Sequence, residues 1–315
     1  MKVLITGSTG FVGRYIVENL LNEGYEVASP VRNADKVKSL YGEKVKAYKV
    51  NFEEIPSIKQ AFEDFKPDYL VHLIGILYQE PSKGITFYRV HYLYSKNLYQ
   101  VAKEYGVKKV LHMSALGTHP DAPSSYHKTK YMAEQELINT GLDYTIFRPS
   151  IVLGPEQRLF FDMWKITRYL PAIALPGGGS YLFQPVDVRD LACCFTKALK
   201  DEQSSRKIYE VCGDKKVSFK ELLEDIFSYW NRKVVLLPFP KVFMYIGGLI
   251  AEKILEPPPF SSDQVLMMWR DNVCGLDKDV ESQAVQKLCG KEPIPYEESL
   301  RWSLEGVLER RSYPE

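Results

Sequence analysis

Long apolar runs are missing from this chain. Its most hydrophobic stretch, Val242 to Ala251, covers ten residues, short of the roughly 18 needed to cross a bilayer. Charge of one sign is not in excess either, since 41 Lys and Arg against 40 Asp and Glu leave a net charge of +1. Electrostatics therefore offers no pull on nucleic acid, and none is expected as a partner. Cysteine is scarce and odd in number: Cys193, Cys194, Cys212, Cys274 and Cys289. No spacing among them suits a metal centre, so no metal is expected, and unpaired thiols suit a reducing cytoplasm. Met1 stands directly before the first strand-like run. That leaves no length for a signal peptide, and a cytoplasmic location is expected. Repeats and low-complexity linkers are also lacking.

What is present begins with Lys2 to Gly13, KVLITGSTGFVG. Val3 to Thr6 is apolar and β-branched without alternation, the pattern of a strand buried on both faces. It runs into Gly7-Ser8-Thr9-Gly10-Phe11-Val12-Gly13 and then into an amphipathic helix. In this setting Gly7 allows a tight turn, Gly10 lets backbone approach a diphosphate, and Gly13 lets helix and strand pack closely. The free N–H groups and positive end of the helix then face the phosphates. A nucleotide site is the expectation.

Strands and helices alternate beyond it. Strands are expected at Tyr25–Val31, Val45–Phe52, Tyr69–Ile74, Val107–Ser114 and Tyr144–Val152, with helices at Ile55–Phe65, Phe87–Tyr105 and Ser125–Thr140. This is the α/β pattern of a doubly wound parallel sheet in the order 3-2-1-4-5-6, a Rossmann-type fold. Residues 1–155 form that domain, and Tyr181–Val188, Asp190–Leu199 and Ile208–Cys212 return to it. Residues 156–180 and 214–315 make a smaller, mostly helical lobe. Within it Val242–Ala251 reads as a helix ended by Pro257-Pro258-Pro259. Two readings stand for this helix: core of the small lobe with one exposed edge, or a membrane or partner surface. The first is favoured, because Lys and Arg do not cluster on it.

Tyr126 and Lys130 share a helix face at i, i+4. A tyrosine pKa near 10 makes a poor base, and a neighbouring ammonium is expected to lower it. The same spacing recurs at Tyr92/Lys96, Tyr99/Lys103, Tyr105/Lys109 and Tyr229/Lys233, so spacing decides nothing. Context does: only Tyr126/Lys130 follows a strand ending in a hydroxyl, Ser114, through a short loop into a new helix. Ser114 is expected to orient a substrate oxygen beside Tyr126.

At the end of the second strand, where an acidic residue would hold an adenosine 2′-hydroxyl, the sequence has Ser29-Pro30-Val31-Arg32. An arginine suits a 2′-phosphate through charge-assisted bonds worth roughly 1.5–3 kcal/mol. That corresponds to about 10- to 100-fold in affinity. The expected cofactor is NADP(H), with NAD(H) as the alternative.

TGSTGFVG, Ser114, YHKTK at 126–130, Arg148-Pro149 and Val186-x-Val188-x-Asp190 together resemble extended or atypical short-chain dehydrogenases/reductases, over the chain to about residue 215. HLIGILYQE at 72–80, FRPSIVLGP at 147–155, LPGGGSYLFQPVDVRD at 175–190 and RDNVC at 270–274 resemble one subgroup. It includes the NAD(P)H-binding accessory subunit of respiratory complex I and its bacterial relatives. The resemblance implies catalytic Ser114, Tyr126 and Lys130, with Lys130 also on the nicotinamide ribose. It implies Asn51 and Phe52 near the adenine, Leu73, Ile74 and Gly75 along the adenine ribose, and Pro149 against the nicotinamide. An oxidoreductase or epimerase acting on a carbonyl or alcohol carbon of an unread substrate is one consequence. A non-catalytic subunit at the inner face of a membrane, peripheral to a redox complex, is the other. The sequence departs from the family at His91, where relatives carry an Asn that takes part in a proton relay; Asn97 of the same pattern is kept.

Overall fold

The protein, a computed structural model, is described over residues 1–255, 258 and 260–310. Chain order is β1 (Lys2–Thr6), α1 (Phe11–Asn22), β2 (Glu26–Val31), α2 (Ala34–Tyr41), β3 (Val45–Lys49), α3 (Ile55–Phe65), β4 (Tyr69–His72), α4 (Tyr94–Glu104), β5 (Lys109–Met113), α5 (Ser125–Thr140) and β6 (Tyr144–Pro149). Then follow β7 (Val152–Leu153), α6 (Arg158–Tyr169), β8 (Ala172–Pro176), β9 (Leu182–Phe183), β10 (Val186–Asp187), α7 (Val188–Ala198), β11 (Lys207–Val211) and β12 (Val217–Ser218). The chain closes with α8 (Phe219–Tyr229), β13 (Val235–Phe239), α9 (Lys241–Ile254), α10 (Ser262–Met267), α11 (Ala284–Cys289) and α12 (Tyr296–Arg310).

Seven strands form one sheet in the order β3-β2-β1-β4-β5-β6-β11, every neighbouring pair parallel. The expected order 3-2-1-4-5-6 is found, extended by β11. Alternate side chains of β1 serve opposite layers, Val3 and Ile5 one core and Leu4 the other. That is why its run shows no polar alternation. Helices α1, α7 and α11 cover one face; α3, α4 and α5 cover the other.

The run Tyr181–Val188 departs from expectation. It breaks into β9 and β10, which pair with β12 and β7 rather than with the large sheet. A third core, built on Phe160, Leu175, Phe219, Leu222 and Leu304, lies among α6, β8, α8 and α12. The helix expected at Phe87–Tyr105 opens with a π-helical turn over Tyr88–Leu93 before α4.

Two expectations are corrected. The five cysteines are not all free: Cys193 pairs with Cys289 and Cys212 with Cys274, leaving Cys194 as a buried thiol. The partners lie 96 and 62 residues apart, so only the tertiary fold brings them together. Helix α9 is not core. Of its residues only Gly248 is buried, and the apolar side chains of its outer face are exposed. Gly248 lies so close to α10 that a Cβ there would stand 2.6 Å from the Ser262 nitrogen. The proline run assigned to its end includes Pro257 and Pro259, which lie outside the described residues.

Candidate active site at the carboxyl ends of β1, β4 and β5

Gly7 leaves β1 with φ +73°, and the turn closes with Gly10 N–H donating to the Gly7 carbonyl at 3.0 Å. A Cβ at Gly13 would run into that same carbonyl, so the third glycine is imposed by helix–strand packing. Gly10 is different. It is exposed, extended in backbone and forms the N-cap of α1 with no side chain capping the helix. The first N–H groups of α1, from Phe11 onward, are therefore free of side-chain partners and face an open cradle. Thr9 is half-buried beside it, and Val12 packs on the core. Ser8 points inward, its hydroxyl bonded to Ser29 and its carbonyl accepting from the Tyr41 hydroxyl at 2.6 Å. Tyr41, which sequence reasoning missed, thus holds the loop from α2. Arg14 was missed as well. It follows Gly13 directly, and its Nε is buried without a hydrogen-bond partner among the described residues.

Arg32 follows β2, exposed and without an ion-pair partner among the described residues. The Asn51 side chain accepts from Glu53 N–H and donates to Glu54 at 2.8 Å, capping the turn before α3. Phe52 is buried and stacked on Tyr94, and its carbonyl accepts from Asn97 Nδ2 at 2.9 Å. Leu73 is buried, its N–H bonded to Thr6 Oγ1. Ile74 is half-buried and packs on the same core as Phe52. Gly75 is exposed, and a Cβ on it would stand 3.0 Å from Lys130 Nζ.

Lys130 is buried, and its ammonium donates to the Met113 carbonyl at 3.0 Å, beside Ser114. No carboxylate among the described residues pairs with it, and burial lowers its pKa to about 8. Ser114 is buried with its hydroxyl 3.3 Å from Thr118 Oγ1. Pro149 is buried in β6, and its carbonyl accepts from Leu116 N–H at 2.9 Å. The Tyr126 ring is boxed by Phe87, His91 and His127, with centroids 5.7, 5.2 and 5.1 Å away. Its hydroxyl bonds no other described residue. The expected lowering of its pKa is not found: burial, and then the Asp263 carboxylate, push it up to about 12. Lys130 reaches past it to the strand end instead.

His91 is structural in form. Its Nε2 lies 3.0 Å from the Ile76 nitrogen and 3.1 Å from the Ile76 carbonyl oxygen, and its Nδ1 lies 3.0 Å from Thr129 Oγ1, so both ring nitrogens are engaged by structural partners. Asp263 is a further residue invisible to pattern. From α10 its two oxygens accept from the N–H groups of Ser125 and Tyr126, at 2.6 and 2.9 Å, and cap the helix that carries the tyrosine.

The competing Tyr-x-x-x-Lys pairs are spent elsewhere. Tyr92 donates to Glu136, Tyr105 to Glu63 and Tyr229 to Glu305, while buried Tyr99 bonds His112. Of the five, only the Tyr126 hydroxyl bonds no other described residue.

Comparison with known proteins places the family and the fold. The model of the NAD dependent epimerase/dehydratase family matches residues 3–212. The chain is 30% identical over 294 residues to NADH dehydrogenase (ubiquinone) 1 alpha subcomplex subunit 9, mitochondrial, of Arabidopsis thaliana, covering 90% of this chain and 71% of that one. It is 27% identical over 275 residues to the NADH-ubiquinone oxidoreductase 40 kDa subunit, mitochondrial, of Neurospora crassa, covering 85% and 71%. In fold it is similar to a UDP-glucose 4-epimerase of Thermotoga maritima, with TM-score 0.75, 18% identity and 99% and 100% of the two chains covered.

Proposed function

The chain belongs to the NAD dependent epimerase/dehydratase family, and from that premise we propose that it binds NADP(H) and reduces a carbonyl carbon with Tyr126 as proton donor. One observation carries the catalytic part: Tyr126 is buried in its ring while its hydroxyl bonds no other described residue, whereas the other tyrosines of that spacing are tied to structural partners. With its pKa raised to about 12 the phenol carries its proton at neutral pH, the form that a proton donor to a developing alkoxide starts from.

The cradle fits a dinucleotide diphosphate: Gly10 leaves space that a Cβ would fill, the α1 N–H groups are free, and Arg14 Nε has no hydrogen-bond partner among the described residues. Bound there, a reduced nicotinamide supplies a hydride. Lys130, charged below pH about 8, would hold the ribose; Ser114 would accept or donate at the substrate oxygen; Pro149 and Gly75 would flank the ring. Arg32 and its missing carboxylate partner support the 2′-phosphate and hence NADP(H). Calorimetric titration tests this. NADPH should bind about 10- to 100-fold tighter than NADH, and Arg32→Ala should close the gap. Equal affinities, unchanged by that substitution, would remove Arg32 from the site.

A second reading, a non-catalytic NADP(H)-binding subunit peripheral to a respiratory NADH:quinone oxidoreductase, is favoured by the likeness to the Arabidopsis and Neurospora subunits. No described helix is long and apolar enough to cross a membrane, so any such association is peripheral in its helices. Purification, mass identification of the retained nucleotide and a carbonyl and quinone panel separate the two. Oxidation of the retained NADPH by a member of the panel, lost in Tyr126→Phe, supports the enzyme.

A further inference from the structure

Helix α9 presents an unusual face. Val242, Phe243, Ile246, Leu249, Ile250 and Ile254 recur at helical spacing along one side, and all six are 39–73% exposed. Its opposite side is occupied, Gly248 against α10 and Glu252 accepting from Ser262 N–H at 2.8 Å. The apolar stripe therefore points away from the protein, the reverse of a surface helix packed on a core. It is continuous with a second apolar strip. Phe239 contacts Phe243 ring to ring at 6.4 Å, and Val235 and Leu237 are exposed on the same alternation of β13. At the far end of that strand, Val235 N–H donates to Pro171 O, next to exposed Tyr169 and Leu170.

The charges around it are mostly positive, and of the acids that flank these stretches Asp162 is paired with Arg158. Residues 163–176 and 231–255 carry Lys165, Arg168, Arg232, Lys233, Lys241 and Lys253 but one acid, Glu252, and its carboxylate is tied to Ser262. Lys165, Arg168, Lys233 and Lys253 are exposed. In a chain of net charge +1 this is a local basic belt around an apolar, aromatic-edged ridge. Lysine is depleted from protein interfaces, whereas an apolar stripe with aromatic and basic margins is what an anionic bilayer surface recognises.

We propose that the outer face of α9, with the exposed side of β13 and the end of α6, docks on the surface of an anionic lipid bilayer. The side chains enter the headgroup boundary and no segment spans it. This goes beyond the nucleotide reading and does not depend on it. Loss of cofactor binding leaves it standing, and loss of lipid binding leaves the cofactor reading standing.

The test is flotation of the full chain with protein-free vesicles of phosphatidylcholine alone, or with about 30 mol% phosphatidylglycerol (a composition of roughly the charge that attracts basic segments). Binding should be more than about tenfold tighter to the anionic vesicles and should weaken steeply with salt. Phe243→Glu combined with Ile250→Glu should abolish it, with an unchanged melting temperature because both side chains are solvent-facing. Phe243→Trp keeps the face apolar. Its added emission, read as the difference from the parent chain, should shift to the blue on vesicles and be quenched by brominated lipid. No binding by the parent chain overturns the proposal and leaves a protein partner for this face. Full binding by the double-Glu variant also overturns it, as does an added indole that stays unquenched in vesicle-bound Phe243→Trp protein. So does a parent dimer in sedimentation that the double-Glu variant turns into a monomer, since a second copy then covers the ridge.

Discussion

A single oxygen separates Tyr126 from phenylalanine, and that oxygen bonds no other described side chain. Tyr126→Phe should therefore leave folding and nucleotide affinity intact while turnover falls by about 10²-fold or more, the usual share of a general acid. Tyr105→Phe and Tyr229→Phe lose only hydroxyl contacts to Glu63 and Glu305 at the surface and should change little. Equal losses in all three would show that Tyr126 has no special role. Gly10 makes the complementary case. Its φ of −81° suits any residue and its position is exposed, but a Cβ would stand 3.3 Å from the Gly7 carbonyl oxygen and valine is a poor N-cap, so Gly10→Val should stay folded and melt modestly below the parent. The new side chain would fill the diphosphate cradle, and calorimetry should detect no nucleotide binding. Retained affinity would mean that the loop faces its ligand in another way.

At the level of elements, the helix carrying Tyr126 is held by α10, far along the chain. The Asp263 carboxylate receives two N–H groups from the first turn of α5. Asp263→Ala leaves them without this acceptor, at a cost of about 1–2 kcal/mol for the lost cap. It should lower the melting temperature modestly and turnover more strongly, with nucleotide affinity unchanged because the glycine loop lies on α1. A matching loss of affinity would show that α10 supports the cofactor cleft rather than the tyrosine. This contact was not legible in the sequence, since Asp263 stands 137 residues from Tyr126 in an unremarked small helix. The first strand, its glycine turn and α1 were legible, because turn, close approach and helix start are local demands on neighbouring residues. The alternation of strands and helices fixed the sheet order for the same reason. An apolar run such as Val242–Ala251 states that a surface must be covered but not by what, and α9 turned out to face away from the core. The Tyr126–Lys130 spacing announced a shared helix face. It was silent on whether the ammonium would stop at the phenol or continue to the Met113 carbonyl.

Across the whole molecule, side-chain polar groups do much of the fastening between layers. The chain's 21 tyrosines find an account here: Tyr15, Tyr94 and Tyr296 donate to Glu156, Glu53 and Asp225 across element boundaries. Histidine is used inwardly. His72, His91, His112 and His127 are all buried, with His72 bonded to Thr6 and Ser95 and stacked on His112. Burial lowers all four, His72 to about 3 and His127 to about 4, with the positive charge of Lys130 adding to the effect. Above the unfolded value of about 6.5 both folded and unfolded chains hold these rings neutral, and their contribution to stability is complete. As pH falls below that value the unfolded chain takes up protons that the native state refuses. Each ring then costs about 1.4 kcal/mol of stability per pH unit until its folded pKa is reached. Four rings acting together are large against a total stability of about 5–15 kcal/mol. Urea denaturation should therefore show stability level between about pH 7 and 8 and falling steeply between about pH 6.5 and 5, above the range in which carboxylates titrate. A curve that stays level down to about pH 5 would mean that these histidines are protonated in the native state. The reading of these rings as neutral hydrogen-bonding groups around Lys130 would then have to be redrawn.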